Sequence, residues 1–240
     1  MKLLVVLPTY NERPNIERVS DGILRHPWAR LLVVDDGSPD GTGAAADALA
    51  AKSNGRMEVL HRSGPRGLGL SYIDGLRRAL ATDADAIAQM DADLSHDPKY
   101  LPDLMAALDR CDLAIGSRYL QGVSVVNWPL HRIALSAFAN RYIRFITGLS
   151  AHDCTSGFRV WRRDALAKIP LDHAEASGYA FLTEMLYAAA HHGCRIGEVP
   201  IVFVERAEGY SKVSSHVLVE SLLTPWRLIL RSGRVKRPTI

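Results

Sequence analysis

Five short apolar runs recur along the first half of the chain, at Leu3–Leu7, Leu31–Val34, Met57–Leu60, Ala86–Met90 and Leu113–Ile115. A continuous apolar run, as opposed to an alternating one, suits a strand buried on both faces. The segments between the runs carry helical spacing. Ile16, Val19 and Ile23 share a face of Pro14–Leu24, and Leu70–Leu80 reads the same way. Asp40-Gly41-Thr42 opens an alanine-rich helix with Asp40 or Thr42 as N-cap. Asp97-Pro98 reads as an N-cap followed by proline at N1, and Leu101, Leu104, Met105 and Leu108 line one face of the helix beyond it. Strands separated by helical segments of about ten to fifteen residues predict βαβ units, hence an α/β fold with a mostly parallel central sheet flanked by helices.

The second half changes character. Tyr119–Pro129 reads as a polar, aromatic loop, and His131–Leu149 is amphipathic with Leu135, Phe138, Tyr142, Phe145 and Leu149 on one side, a stripe expected to face the core. Phe158–Trp161 and Ile196–Val204 read as strands, and Phe181–Ala190 as a helix. Ser214–Leu230 reads as a helix that Pro225 should kink. The expectation is one continuous domain over residues 1–240 with a C-terminal helical elaboration.

The 240 residues are 48% hydrophobic, enough for a sizeable core. Cys111, Cys154 and Cys194 are few, scattered and odd in number, which predicts ordinary buried thiols in a reducing compartment. No run approaches the length of a membrane span, and the N-terminal run is too short for a secretion signal. Net charge is only +3, yet Arg227, Arg231, Arg234, Lys236 and Arg237 gather near the C-terminus. That asymmetry points to an anionic surface as partner.

The fourth apolar run leads straight into Asp91-Ala92-Asp93. Alternate side chains of extended backbone share a face, so the two carboxylates can aim at one hard cation, Mg2+ or Mn2+. The alternative is an acidic loop that caps the next helix. Asp83-Ala84-Asp85 has the same spacing but precedes the strand. Open parallel sheets bind ligands at the carboxyl ends of their strands, so this earlier pair reads as a solvated turn. Two polar loops, Pro8-Thr9-Tyr10-Asn11-Glu12 and Asp35-Asp36-Gly37-Ser38-Pro39-Asp40, follow the first two strands and would face the acidic pair. Tyr10 can stack on a nucleobase and Asp36 can accept two donors from one base edge, although both residue types are also common in plain turns. Gly64, Gly67 and Gly69 fit neither phosphate-loop pattern and read as turn glycines. Glu184 and His96 are candidate bases to which no role is assigned. Arg132, Ser136 and Asn140 form a polar stripe beside the apolar stripe of their helix, facing either solvent or a bound phosphate.

At these residues the chain resembles the GT-A fold, family 2 glycosyltransferases, and within them the polyprenol-phosphate (dolichol-phosphate) mannose synthases. The resemblance runs nearly end to end. It rests on Leu7-Pro8-Thr9-Tyr10-Asn11-Glu12, the block from Val33 to Thr42, Met90-Asp91-Ala92-Asp93-Leu94-Ser95-His96, Gly116-Ser117-Arg118-Tyr119 and Asp153-Cys154-Thr155-Ser156-Gly157-Phe158-Arg159. The segment Glu205-Arg206-Ala207-Glu208-Gly209-Tyr210-Ser211-Lys212 matches the mannose synthases more narrowly.

The resemblance implies a Rossmann-like GT-A sheet with a nucleotide-sugar-binding half over 1–118 and an acceptor-binding half over 119–240. Pro8, Tyr10, Glu12, Val34 and Asp36 would hold the nucleoside, Asp91, Ala92 and Asp93 the metal and donor, and Arg118, Arg206 and Lys212 phosphate. Gly116-Ser117-Arg118 together with Arg132 and Ser136 would grip the acceptor phosphate. The implied reaction is metal-dependent, inverting transfer of mannose from GDP-mannose to a polyprenyl phosphate. A UDP-glucose-dependent glucosyltransferase shares most of these motifs, and a non-catalytic nucleotide-sugar-binding subunit would retain the fold. Some family members continue into transmembrane helices, so attachment at the cytoplasmic face is expected to be peripheral, through a membrane surface or an anchoring partner protein, with no nucleic acid involved.

Overall fold

The computed structural model describes residues 1–171, 179–205 and 215–235. Arg206, Lys212, Lys236 and Arg237 therefore lie outside the described residues. The first half alternates β1 (Leu3–Thr9), α1 (Ile16–Leu24), β2 (Ala29–Asp35), α2 (Thr42–Lys52), β3 (Met57–His61), α3 (Leu68–Leu80), β4 (Ala86–Gln89), α4 (Leu101–Ala107) and β5 (Leu113–Ser117). The second half adds β6 (Val125–Val126), α5 (Leu130–Thr147), β7 (Arg159–Arg162), α6 (Arg163–Leu166), α7 (Tyr179–His191), β8 (Ile196–Pro200), β9 (Phe203–Val204) and α8 (Ser215–Ser232).

A seven-stranded sheet in the order β3-β2-β1-β4-β7-β5-β8 forms the centre. It is parallel except for β7, which runs antiparallel between β4 and β5. The predicted mostly parallel α/β architecture is therefore present. Apolar clusters cover both faces, with α3 and α7 among the elements on one side and α1 and α4 on the other. Helix α3 lies close to the sheet because position 75 is glycine: a Cβ there would come within 2.4 Å of Val6 Cγ1 and 2.8 Å of Val34 Cγ2. The sheet is also tied across β4 and β7 by the buried Trp161 Nε1, which donates to Gln89 Oε1 at 2.8 Å.

Several local expectations need correction. The predicted strand Ile196–Val204 is two elements, because Pro200 ends β8 and β9 pairs separately with β6, inside the stretch read as a loop. The N-cap of α2 is Gly41, in the left-handed region that glycine tolerates, and Asp40 Oδ1 accepts from the Thr42 N–H at 3.0 Å. The larger correction concerns α5. Leu135, Phe138 and Phe145 are exposed, and the buried side contains Asn140, Ile143, Ile146 and Thr147. Leu149 is buried and Tyr142 packs partly buried on the core as expected, but for Leu135, Phe138 and Phe145 periodicity gave the wrong direction, since a stripe alone does not say which neighbour covers it. Cys111 and Cys154 are buried free thiols and Cys194 is partly buried, as expected.

Candidate active site

Parallel register brings the first two polar loops together. Pro8 pairs with Val34 and Thr9 with Asp35 at the carboxyl ends of β1 and β2. Val34 is wholly buried, so only its main chain can meet a ligand. Glu12 is fixed at the start of α1, its N–H donating to Thr42 Oγ1 at 2.9 Å and its carboxylate accepting from Asn15 Nδ2 at 2.8 Å. Asp36 is buried and held on both oxygens: Arg62 Nη1 donates to Oδ1, and the Gly67 N–H to Oδ2 at 2.8 Å. Arg62 is itself anchored by Asp74 at 2.7 Å. A cavity of about 560 Å3 opens here, lined by Asp36, Gly37, Pro39, Arg62, Ser63, Gly64 and Arg66. Tyr10 meets Arg66, whose guanidinium carbon lies 5.2 Å from the ring centroid.

The acidic pair follows β4 directly. Asp91 is about one-third exposed, and its Oδ1 accepts from the buried Tyr72 hydroxyl at 2.9 Å. Burial, reinforced by the Asp91 charge, raises the Tyr72 phenol well above its usual value, so it remains a hydrogen-bond donor. The ring of Tyr72 stacks on Phe181, with centroids 5.9 Å apart. Asp93 Oδ1 accepts from the Ser95 N–H at 3.1 Å, a tight turn in which Leu94 takes φ +65°. Ala92, between the acids, is buried.

His96 Nδ1 accepts from the Asp91 N–H at 3.1 Å, and its ring stacks on Phe158 at 5.2 Å. That bond uses the nitrogen's lone pair, so His96 supports the Asp91 backbone and is not a base aimed at a substrate. Glu184 lies on α7. By contrast, Asp83 sits at the opposite end of β4, exposed and paired with Lys2 and Arg30, as the solvated-turn reading expected. A hollow of about 690 Å3 beside it lies at the amino ends of the strands, the end that open sheets do not use for ligands.

The residues present fit a divalent ion. Gly157 backs onto Asp91, where a Cβ would stand 3.3 Å from Oδ2, so glycine keeps the approach to the carboxylate open. No group of three His, Cys, Asp or Glu forms a complete metal cage among the described residues. One or two carboxylates completed by substrate phosphates is the usual arrangement for Mg2+.

A third cluster surrounds the loop before β7. Asp153 is fully buried and accepts from Arg118 Nε and Nη2, both at 2.7 Å, and from the Arg118 N–H at 3.1 Å. Burial pushes the Asp153 carboxyl up, but the Arg118 charge and hydrogen bonds outweigh it and hold the group below its ordinary range. Glu198 on β8 accepts from the N–H groups of His152 at 2.8 Å and Asp153 at 3.1 Å. The wholly buried Arg159 binds the carbonyls of Ser156 at 2.8 Å, Leu182 at 2.7 Å and Cys154 at 3.3 Å. Burial lowers its guanidinium to about 10, which leaves it charged at neutral pH.

The polar stripe of α5 packs on this loop. Tyr119 donates to Ser136 Oγ at 2.7 Å, and Asn140 Oδ1 accepts from the Cys154 N–H at 2.7 Å. Arg132 pairs with Glu205, and its guanidinium carbon lies 4.2 Å from the Trp128 ring centroid. Arg118 and Arg132 both lie against Trp128, and Ser136 joins them through Tyr119, whereas Tyr10, Asp36 and the acidic pair follow the carboxyl ends of three different strands, β1, β2 and β4. The sequence reading missed Arg62, Tyr72, Asp153, Glu198 and Glu205. Of these, Asp153 and Glu205 lay inside motifs already quoted.

Comparison with known proteins gives the family and the fold. Residues 4–170 match the family described as Glycosyl transferase family 2. The chain is 45% identical to a polyprenol monophosphomannose synthase of Mycolicibacterium smegmatis, over 98% of this chain and 90% of that protein. It is 43% identical to an undecaprenyl-phosphate mannosyltransferase of Micrococcus luteus, over 96% of each. In fold it is similar to glucosyl-3-phosphoglycerate synthase from Mycobacterium tuberculosis, solved with Mn2+, UDP and phosphoglyceric acid (TM-score 0.69, 21% identity, 98% of this chain and 80% of that one). It is also similar to a mannosyltransferase from Pyrobaculum calidifontis solved with GDP-Man and Mn2+ (TM-score 0.64, 21% identity, 98% of this chain and 66% of that one).

Proposed function

The chain belongs to glycosyl transferase family 2, and from that premise we propose that it transfers mannose from GDP-mannose to a polyprenyl phosphate with inversion at the anomeric carbon. The observation that carries this reading is the near full-length identity, 45%, to a polyprenol monophosphomannose synthase. The site geometry supports it. Asp36 has one lone pair left on each oxygen after Arg62 and Gly67 are served, a fork that suits the ring N–H and exocyclic amine of guanine. Uracil offers a single N–H flanked by carbonyls, which would face a carboxylate oxygen. Pro8, Tyr10, Glu12 and Val34 would frame the nucleoside.

Asp91 and Asp93 would hold Mg2+ or Mn2+. When bound, such an ion screens the departing diphosphate and lowers the barrier to its departure. The chain's own residues do the rest. Arg118, fixed by Asp153, orders the loop beside the donor, and Arg206 and Lys212, outside the described residues, are the further cations assigned to the phosphates. Arg132 and Ser136 would receive the acceptor phosphate. No side chain has to act as base, because a phosphate monoester has a second pKa of about 6 and is already an anionic nucleophile at neutral pH. Attack opposite the leaving group converts an α-linked donor into a β-linked lipid product. A polyprenyl acceptor is membrane-borne, so the site of action is the cytoplasmic surface of a membrane.

The test is incubation with polyprenyl phosphate and a panel of labelled GDP- and UDP-sugars, with Mn2+ or with chelator. A β-linked lipid phosphomannose formed from GDP-mannose is expected. A glucosyl lipid from UDP-glucose, an α-linked product, or no lipid-linked sugar at all would each overturn the proposal.

A further inference from the structure

The Asp36–Arg62 pair is oriented by a carboxylate that stands outside the cavity it lines. The Arg62 guanidinium serves four acceptors. Nη1 donates to Asp36 Oδ1 and to Ser71 Oγ at 3.3 Å, Nε to Asp74 Oδ2 at 2.7 Å, and Nη2 to the Pro65 carbonyl at 3.1 Å. Ser71 and Asp74 lie three residues apart on one face of α3. Gly67, the N-cap of that helix, donates its N–H to Asp36 Oδ2 at 2.8 Å. The start of α3 thus supplies three of the groups that fix Asp36 and Arg62. The Arg62 and Asp36 side chains are 6% and 8% exposed, while Asp74 is 40% exposed and its other oxygen faces Arg77 at 3.7 Å. The charged residues that line the cavity of about 560 Å3 are Asp36, Arg62 and Arg66. Asp74 can therefore act there only through Arg62.

The direction of Arg62 decides what Asp36 has left to offer. A guanidinium that faces one carboxylate commonly pairs with it through two parallel N–H···O bonds. Arg62 instead gives Nη1 to Asp36 and its Nε edge to Asp74. An ionised carboxylate has about four acceptor positions. Arg62 takes one on Oδ1 and Gly67 one on Oδ2, which leaves one on each oxygen for the two N–H donors of a guanine edge. Among the described residues, Asp36 and Asp74 are the two carboxylates paired with Arg62. With Asp74 removed, the buried cation would keep Asp36 as its one anionic partner. A carboxylate is a stronger acceptor than the Pro65 carbonyl, so both Nη groups would turn onto Asp36. The second bond would take the remaining acceptor position on Oδ2, and one base donor would lose its partner.

We infer that Asp74 is a positioning residue for nucleobase selectivity: by drawing Arg62 sideways it keeps both oxygens of Asp36 available to a purine that carries a 2-amino group. The inference rests on the proposed pairing of Asp36 with guanine and names the residue outside the cavity that maintains it. Helix α3 also carries Tyr72, which donates to Asp91, so one element sets both the base-reading carboxylate and one member of the acidic pair.

The experiment measures binding of GDP, IDP and UDP, each with Mn2+, to the full chain by calorimetry, in wild type, Asp74→Ala and Asp74→Glu. IDP carries hypoxanthine, which is guanine without the exocyclic amine. Wild type is expected to bind GDP about tenfold or more tighter than IDP, the range for one hydrogen bond to a charged group. In Asp74→Ala the ratio should fall to within about threefold, through lost GDP affinity with IDP affinity nearly unchanged. Asp74→Glu restores the charge and should hold the ratio within about threefold of wild type. The position is on the solvent side of a helix, so the variants fold, and a thermal melt checks this. Asp74→Ala that keeps the wild-type ratio overturns the inference. So does Asp74→Ala that weakens GDP, IDP and UDP alike, since a residue that only holds the loop would affect all three. Wild type that binds GDP and IDP equally overturns the guanine reading of Asp36 and the inference with it. Nucleotide binding is read without an acceptor, so failure to form a lipid-linked sugar overturns the proposed function and leaves the binding ratios to decide the inference.

Discussion

Replacing Asp153 by Asn tests whether the Arg118 loop is held by a buried ion pair. The isosteric amide keeps the volume but removes the charge facing a guanidinium that is itself almost fully buried. It also replaces an acceptor oxygen by an NH2 group next to Arg118 donors. Stranding one member of a buried pair costs about 3–5 kcal/mol, a large part of the total stability of a domain. For a chain of this size each kcal/mol lowers Tm by roughly 2–4 °C, so a fall of about 6 °C or more is expected. The pH dependence has a definite sign. The folded carboxyl lies below its ordinary value of 3.8, so its stabilisation is complete above that value and is lost as pH falls through the lower folded one. The gap between wild type and Asp153→Asn should therefore be constant through neutral pH and close only in acid below about pH 4. Urea unfolding of wild type, Asp153→Asn, Arg118→Met and the Asp153→Asn/Arg118→Met double variant measures it. A loss below about 1 kcal/mol for Asp153→Asn, or a double variant that loses the full sum of the singles, would refute the reasoning.

Asp93→Ala should abolish sugar transfer with little change in the melt, and unchanged turnover, or full activity in chelator, would contradict a metal held there. Tyr72→Phe removes the 2.9 Å bond to Asp91 and should weaken Mn2+ binding to the GDP complex about 10-fold, read by calorimetry; an unaltered Mn2+ affinity would show that Tyr72 only fills the core. Arg132→Ala should raise KM for the lipid phosphate at least about tenfold while GDP-mannose binding holds, and an equal loss of donor binding would count against the acceptor assignment.

Much of the fold was legible because parallel strands buried on both faces announce themselves as unbroken apolar runs. All five first-half strands lie where those runs are, and Asp91 and Asp93 follow β4 as the spacing required. The insertion of β7 between β4 and β5 was not legible, since strand order depends on pairings such as Trp161 with Gln89 that no periodicity encodes. The outward direction of part of the α5 stripe was hidden for a related reason: an apolar stripe turned outward and one packed on a core share the same spacing. The candidate site residues were proposed from short motifs, but the residues that hold them in place were not legible there. Arg62, Tyr72 and Glu198 act through contacts 26, 19 and 45 residues distant in the chain, Arg62 from the loop just after β3 and the other two from an ordinary helix and strand.

The arginines at the site fall into two kinds, and burial separates them. Arg118 with Asp153 and Arg62 with Asp36 are pairs in which both side chains are at most 9% exposed, whereas Arg132 and Glu205 are 32% and 31% exposed. A charge stripped of water on all sides has nowhere to go when its partner leaves, so the first two pairs hold backbone and side-chain positions and are poor candidates for exchange during turnover. A pair one-third open to solvent is cheap to separate. A phosphate carrying up to two negative charges and three acceptor oxygens can displace a single carboxylate from the planar guanidinium, which Trp128 keeps in place from one side. Glu205 thus occupies on Arg132 the position that an acceptor phosphate would take. The same gradient explains why removing Asp153 should be felt in the melt and, on the proposed reading, removing Arg132 in the KM for the lipid: one arginine is part of the fold, and the other is the one proposed to meet a ligand.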